Sequence, residues 1–235
     1  MMIDYAQPMS YVWALLPEVV LTIMGMVVLL VDVFQKGSRS QPSRPIVAWL
    51  ALAGIALAAA ANAWLMTLTE ATPTGMIAVD AFRVFCNFLF LGAGALFILM
   101  SPRYLEENHM GYGELYALVL LATVGMMLFA GARDLIIIFL GLELLSVAVY
   151  VLTAVNRRDR RSAEAGLKYF LLGAFSSAFF IFGVALIFGG TGTVNLALIA
   201  MLLGVDGVAA GPLVLVGMAL LAVGYAFKVA AVPFH

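Results

Sequence analysis

The chain has 235 residues, of which 65% are apolar and only 11% charged, with a mean hydropathy of +1.11. A soluble domain carries about 25% charged residues, so there are too few polar side chains here to coat a water-facing globule, and the apolar excess requires lipid. A formal net charge of −1 excludes the basic face that a nucleic acid needs, and the single Cys86 excludes a disulfide framework or a cysteine metal cluster.

A membrane-spanning helix needs about 20 mostly apolar residues. Seven such stretches follow one another, near Tyr11–Val33, Pro45–Leu68, Asp80–Ser101, Glu114–Gly131, Asp134–Val155, Ser162–Gly189 and Gly211–Phe234. The first is preceded by Asp4 and not by a basic region, so it reads as a span and not as a cleaved signal peptide. Helix is the default for each, because lipid offers no water to satisfy backbone groups. A β-barrel would alternate apolar and polar residues, and Leu135-Ile136-Ile137-Ile138-Phe139-Leu140 does not. The connections are short and turn-like, except for the one between the sixth and seventh spans. Within it Val194–Leu203 is apolar but too short to cross, and reads as an interfacial or re-entrant helix. The fold class expected is therefore all-α, a polytopic transmembrane helix bundle.

Orientation follows from Lys and Arg. The loops after spans one, three and five carry Lys36, Arg39 and Arg44, then Arg103, then Arg157, Arg158, Arg160 and Arg161, which is eight of the 12 basic residues. Arg133 is the exception, at the tight turn after span four. The N-terminus is expected outside and the Arg-rich loops in the cytoplasm.

Ionisable residues inside spans are the informative ones, since each costs at least about 2.5–3.5 kcal/mol at bilayer depth on insertion scales and usually faces a partner or a wet cavity. Glu143 lies nine residues into its span, roughly 14 Å at 1.5 Å per residue, which is near mid-membrane. It is either a functional carboxyl or a neutral, hydrogen-bonded structural one. Lys228 lies deep in the last span, and Pro233, five residues on, should kink or break the helix. Broken helices at membrane depth line cavities and bind ions in transporters; the competing reading is a lysine snorkelling to the cytoplasmic interface. Lys168 follows Glu164 by one turn, in the order that favours a helical ion pair, so it is either functional or paired and snorkelling. Tyr169, Ser176 and Ser177 continue along the same helix. Glu18 follows Pro17, where the helix starts late or kinks, Asp32 reads as a boundary residue at the cytoplasmic end of the same span, and Arg83, with Asp80 one turn away, as an interfacial anchor; for all three a structural role is expected over a functional one. His109 with Glu106 and Glu107 forms a solvated loop cluster, and neither it nor His235 fits a metal-ligand pattern. No phosphate loop, dinucleotide fingerprint or nucleophile elbow is present.

Three segments resemble a known family. They run from Asp134 through Glu143 to Leu152, from Ser162 through Lys168 and Ser177 to Thr193, and from Phe227 through Lys228 and Pro233 to His235. They are similar to the antiporter-like membrane subunits of NADH–quinone oxidoreductase, respiratory complex I, and by their spacing to the N-subunit family more than to the L and M subunits. Leu16-Pro17-Glu18 with Asp32 resembles the first helix of that family. The resemblance implies that this is the N-terminal half of an antiporter-like inverted-repeat fold. Residues 1–110 would form an N-terminal three-helix segment, and 111–235 the start of the first repeat. It implies proton transfer through Glu143, Lys228 and Lys168, with Pro233 at a break in the seventh helix, and it makes Glu143 and Lys228 a coupled pair. It further implies no cofactor in this chain; NAD, FMN, iron–sulfur clusters and quinone would sit in partner subunits. The expected partners are other membrane-arm subunits, the bilayer and protons, in the cell inner membrane. The family has about fourteen helices in two inverted repeats of five, a transporter layout. The sequence is thus expected to carry one half of a proton path, without the eighth-helix basic residue and twelfth-helix lysine of the other half. Two other classes compete: a cation/proton antiporter or membrane-bound hydrogenase subunit, and a structural spacer whose charges are relics.

Overall fold

The computed structural model describes residues 2–3, 8–34, 45–70, 75–107, 113–204 and 211–233. Lys36, Arg39, Arg44, His109 and His235 lie outside these residues. Among the described residues the elements run β1 (Met2–Ile3), α1 (Pro8–Ala14), α2 (Leu16–Phe34), α3 (Pro45–Leu65), β2 (Thr69–Glu70), α4 (Ala81–Glu107), α5 (Glu114–Gly131), α6 (Leu135–Thr153), α7 (Arg160–Thr191), α8 (Leu196–Leu203) and α9 (Pro212–Lys228). The two-residue strands pair in parallel and only tie the N-terminal end to the turn after α3.

Helices α2 to α7 include six long and apolar enough to cross a membrane. The first expected span is divided, because α1 ends at Ala14 and α2 begins at Leu16, just ahead of Pro17, a residue that suits a helix start. The seventh, α9, is shorter, with 17 residues, about 25 Å at 1.5 Å per residue. The segment expected between the last two spans is α8, capped by the Asn195 side chain, which accepts from the N–H groups of Ala197 and Leu198 at 3.0 and 3.2 Å.

The bundle is apolar on the outside. On α4, Phe82 and Phe85 are 67% and 66% exposed, whereas Arg83 between them is fully buried. Polar atoms buried inward and aromatic rings turned outward are what a lipid solvent selects. The core falls into two main clusters. One joins α2, α3, α4 and α5 through Leu21, Val28, Ile55, Leu91, Ile98 and Leu120. The other joins α6, α7 and α9 through Ile138, Leu142, Phe180, Val184 and Leu221. Helix α5, which the sequence groups with the second segment, packs against α2 and α4 on one side and α6 on the other. It is the most buried span, at 61% against 28% for α2.

Glycine lets the backbones meet. A Cβ on Gly125 of α5 would lie 2.5 Å from Leu145 N and 2.8 Å from Gly141 O of α6. A Cβ on Gly183 of α7 would lie 2.7 Å from Gly217 O of α9, and one on Gly217 would lie 2.8 Å from Gly183 O. Close approach through small residues is the main source of helix–helix adhesion where lipid removes the hydrophobic drive. The α5–α6 turn is pinned on both sides: Arg133 N donates to Met76 O at 2.8 Å, Ala78 N to Gly131 O at 2.7 Å, and Leu135 N to Val194 O at 3.0 Å. Asp134 then caps α6, accepting from Ile136 N at 2.8 Å.

Gly125→Val should separate α5 from α6 and destabilise the fold by about 1–3 kcal/mol through overpacking. Gly92→Val, where no atom lies within 4 Å of the added Cβ, should be nearly silent. Thermal unfolding of the two variants in detergent checks the contrast.

Candidate functional site

Helix α6 carries Glu143, Ser146 and Tyr150, spaced by three and four residues, so all three share one face. Helix α9 brings Lys228 against that face. Its Nζ donates to Ser146 Oγ at 2.6 Å and to Tyr150 Oη at 3.1 Å, and lies 3.6 Å from Glu143 Oε1. The ammonium is also 5.6 Å from the centroid of the Tyr150 ring, within reach of its π face. Helix α7 closes the cluster. Ser177 Oγ donates to Glu143 Oε1, and Ser176 Oγ to the carbonyl of Gly224 at 3.3 Å. The side chain of Lys228 is 15% exposed and that of Glu143 28%. The lysine therefore does not snorkel; its charge is solvated by protein oxygens at membrane depth.

Helix α9 ends on this lysine. The sequence places the break at Pro233, but the helix stops five residues earlier, at Lys228. Proline excludes helix from the turn before it, because its ring clashes with the carbonyl four residues back and restricts the preceding residue. The end is closed by two backbone bonds, Ala231 N to Ala226 O at 2.8 Å and Ala230 N to Phe227 O at 3.0 Å. This is the Schellman arrangement, and its left-handed position, usually glycine, is filled by Ala230 at φ 51°. Helix α7 ends in the usual way, with Gly192 at φ 72°. A left-handed alanine costs roughly 1–2 kcal/mol, and strain of this kind is characteristic of functional segments. Ending α9 at Lys228 also leaves the negative end of the helix dipole beside the ammonium.

Lys168 does not join the cluster. Its ammonium pairs with Glu164 one turn earlier, and both side chains are exposed, at 69% and 63%. The neighbouring Tyr169 does reach it indirectly: its ring packs edge-on against Tyr150, with centroids 4.6 Å apart. Asp32 lies in the last turn of α2, its carboxylate over Gly113 at the start of α5.

The interfacial reading of Arg83 is corrected, and the structural role expected of Glu18 takes the form of an ion pair with it. Both are buried, and Arg83 Nη2 donates to Glu18 Oε1 at 2.6 Å. The guanidinium also donates to the carbonyls of Ala78 at 2.7 Å and Ala14 at 2.9 Å. One turn along α4, Asn87 donates to Asn62 Oδ1 at 2.9 Å, and Asn62 to Val84 O at 3.0 Å. Sequence reasoning puts Glu18 and Arg83 near span ends, where long side chains reach water. Tertiary packing covers that end with α1, and Gly131 at the end of α5 makes room, since a Cβ there would lie 2.6 Å from Arg83 Cδ. The signal available was the pairing of opposite charges at equivalent depth in two spans. Ser146 and Tyr150 carry no charge to mark them in the sequence as partners of Lys228, though both lie on the helical face of Glu143.

A bundle of membrane-spanning helices with a lysine at the end of an interrupted helix, set against a carboxylate on the facing helix, defines a polytopic membrane protein with an ion pair inside its helix bundle. Residues 132–235 match the family model described as NADH:quinone oxidoreductase/Mrp antiporter, TM. Over 223 residues the chain is 45% identical to NADH-quinone oxidoreductase subunit N of Trichlorobacter lovleyi, covering 94% of this chain and 45% of that protein. It is 42% identical over 211 residues to subunit N 2 of Roseiflexus castenholzii, covering 89% of this chain and 42% of that protein. Among solved structures, a chain of respiratory complex I from Thermus thermophilus with bound aureothin superposes with a TM-score of 0.70 at 32% identity, covering 93% of this chain and 45% of that one. A chain of the membrane-bound sulfane sulfur reductase, an archaeal respiratory membrane complex, superposes with a TM-score of 0.72 at 24% identity, covering 94% of this chain and 46% of that one, which shows the shared fold. The chain is thus similar over most of its length to NADH-quinone oxidoreductase subunit N proteins, and it is a multi-pass membrane protein. It spans about half the length of the curated relatives it matches.

Arg83→Leu should destabilise the protein by about 3–5 kcal/mol by stranding the Glu18 carboxylate, and the double variant Glu18→Leu, Arg83→Leu should recover most of that loss. Ala230→Gly should raise stability by about 1 kcal/mol by relieving the left-handed alanine. Thermal midpoints of the purified variants check both expectations.

Proposed function

We propose that this chain forms the N-terminal part of a proton-translocating membrane-arm subunit of an NADH-quinone oxidoreductase. Glu143 and Lys228 carry the proton step, while NAD, FMN, iron–sulfur clusters and quinone are held by partner subunits. The observation that carries this reading is the position of Lys228 Nζ at the end of α9, 2.6 Å from Ser146 Oγ and 3.6 Å from Glu143 Oε1. A charge placed at bilayer depth and met by a carboxylate and two hydroxyls is the kind of group that marks an ion pathway. The interrupted helix supports the same reading, because irregular backbone at membrane depth belongs where it lines a cavity.

In the proposed step, a proton on Lys228 is stabilised by the Glu143 carboxylate when the two approach. When the pair separates, the ammonium rests on Ser146 and Tyr150 alone, its proton is held less tightly and passes to water, and the lysine is left as a neutral amine. Ser177 holds the carboxylate in place during the exchange. The free energy for separating the pair comes from electron transfer in the other subunits. Pro233 keeps the segment after Lys228 out of a helix. Lys168, exposed and paired with Glu164, is assigned a contribution at the edge of this path. Its variant Lys168→Ala should have a smaller effect than a change at Lys228. The proposed location is the cell inner membrane, with the Arg157–Arg161 loop cytoplasmic and the N-terminus outside.

Glu143→Gln and Lys228→Ala, each in the assembled complex, should lower the number of protons moved per NADH oxidised while complex assembly is retained. Proton uptake by inverted membrane vesicles, measured against NADH consumption, reads this directly. Unchanged proton yield in both variants would establish the structural-spacer reading instead.

A further inference from the structure

A groove of about 490 Å³ runs along α6, between α5 and α7. Its mouth carries the Arg157–Glu114 ion pair, at the end of the bundle that bears the Arg157–Arg161 loop. From there the walls are Ala154, Val151, Gly166, Leu167 and Phe170, and Tyr150 stands near the far end. The same tyrosine accepts the hydrogen bond from Lys228 Nζ at 3.1 Å. Tyr150 is therefore the side chain shared by the groove and the Lys228 site. Its ring forms a wall of the one and its hydroxyl a ligand of the other.

The tyrosine is held in this position from α7. Tyr169 and Phe170 pack edge-on against its ring, with centroids at 4.6 and 6.1 Å. Gly173 gives the hydroxyl its space: a Cβ there would lie 1.9 Å from Tyr150 Oη and 2.3 Å from Cζ, so any larger residue must displace the ring.

We infer that Tyr150 is the gate and proton relay between Lys228 and the groove that opens at the Arg157–Glu114 pair. The inference rests on the assignment of Lys228 to proton transfer made above. When water fills the groove, a proton on that water passes to the phenol oxygen as the phenol O–H proton passes to the lone pair of neutral Lys228. The donor is an excess proton carried by that water, so the hydronium becomes water, the phenol is regenerated and the amine becomes an ammonium, and only O–H and N–H bonds are exchanged. In this inference the ring, in the position seen here, separates the groove from the ammonium.

Two measurements on the assembled complex test this. In a Cys86→Ala background, Val151→Cys places a thiol on the groove wall and Ser146→Cys places one beside Lys228. A membrane-impermeant methanethiosulfonate applied from the side of the Arg157–Arg161 loop should label the Val151→Cys thiol. It should label the Ser146→Cys thiol about tenfold faster when Tyr150→Ala is added, as the ring no longer blocks access, and at the parental rate with Tyr150→Phe, which keeps the ring. Tyr150→Phe should instead lower proton yield per NADH to the level of Lys228→Ala, because the relay oxygen is gone. Gly173→Ala, which keeps the hydroxyl but moves it, should act in the same direction. An unlabelled Val151→Cys thiol, a Ser146→Cys rate indifferent to Tyr150→Ala, or full proton yield in Tyr150→Phe overturns the inference. If those results appear while Glu143→Gln and Lys228→Ala still lower proton yield, only the gate is lost. If Glu143→Gln and Lys228→Ala are themselves silent, the functional assignment fails with it.

Discussion

Everything in this bundle depends on the fact that hydrocarbon cannot hydrate a charge, so the protein must supply its own solvent to Lys228. It does so with one face of α6, where Glu143, Ser146 and Tyr150 sit at successive helical turns, and with a helix end that brings the ammonium to that face and stops. No single contact holds the lysine for good. Two neutral hydroxyls lie closer to it than the carboxylate does, and the carboxylate is itself held by Ser177. An ammonium shared among several comparable oxygens can change partners without being stranded, as the proposed proton step requires.

The same constraint explains the second polar site. Arg83 is fully buried and met by Glu18 and the carbonyls of Ala14 and Ala78. Here the interactions converge from α1, α2 and the loop before α4 onto a single guanidinium, which fixes these elements against each other and against Gly131 at the end of α5. The two sites differ in kind. A planar guanidinium forks onto several acceptors at once and stays charged, whereas a lysine is a point charge that exchanges protons. The arginine site suits fastening, and the lysine site suits transfer.

Close backbone contact makes both arrangements possible. Glycines at 125, 141, 183 and 217 let α5 meet α6, and α7 meet α9, at distances a side chain would forbid, while Gly173 leaves room for the Tyr150 hydroxyl. The fold so assembled is shared with a chain of a sulfane sulfur reductase at 24% identity as well as with a chain of complex I. Architecture alone therefore does not set the redox chemistry to which a bundle is coupled. What particularises this chain is its sequence similarity to the subunit N proteins, together with the residues at the site.

The sequence by itself determined the spans, because length and hydropathy are local properties and lipid leaves helix as their only outcome; the bounds of α5, Glu114–Gly131, are those read from the sequence. It also determined that Glu143 and Lys228 were the charges to explain, since their depth follows from position within a span. Tertiary structure decided the rest. It showed that Lys228 turns to Ser146 and Tyr150 and not to the interface, that Lys168 points away, and that Glu18 and Arg83 are a buried pair. It also moved the end of α9 from Pro233 to Lys228. These outcomes depend on which helix faces which. That is set by contacts between residues far apart in the chain, such as Ser146 and Lys228, 82 positions from each other, and no local pattern of hydropathy or charge encodes it.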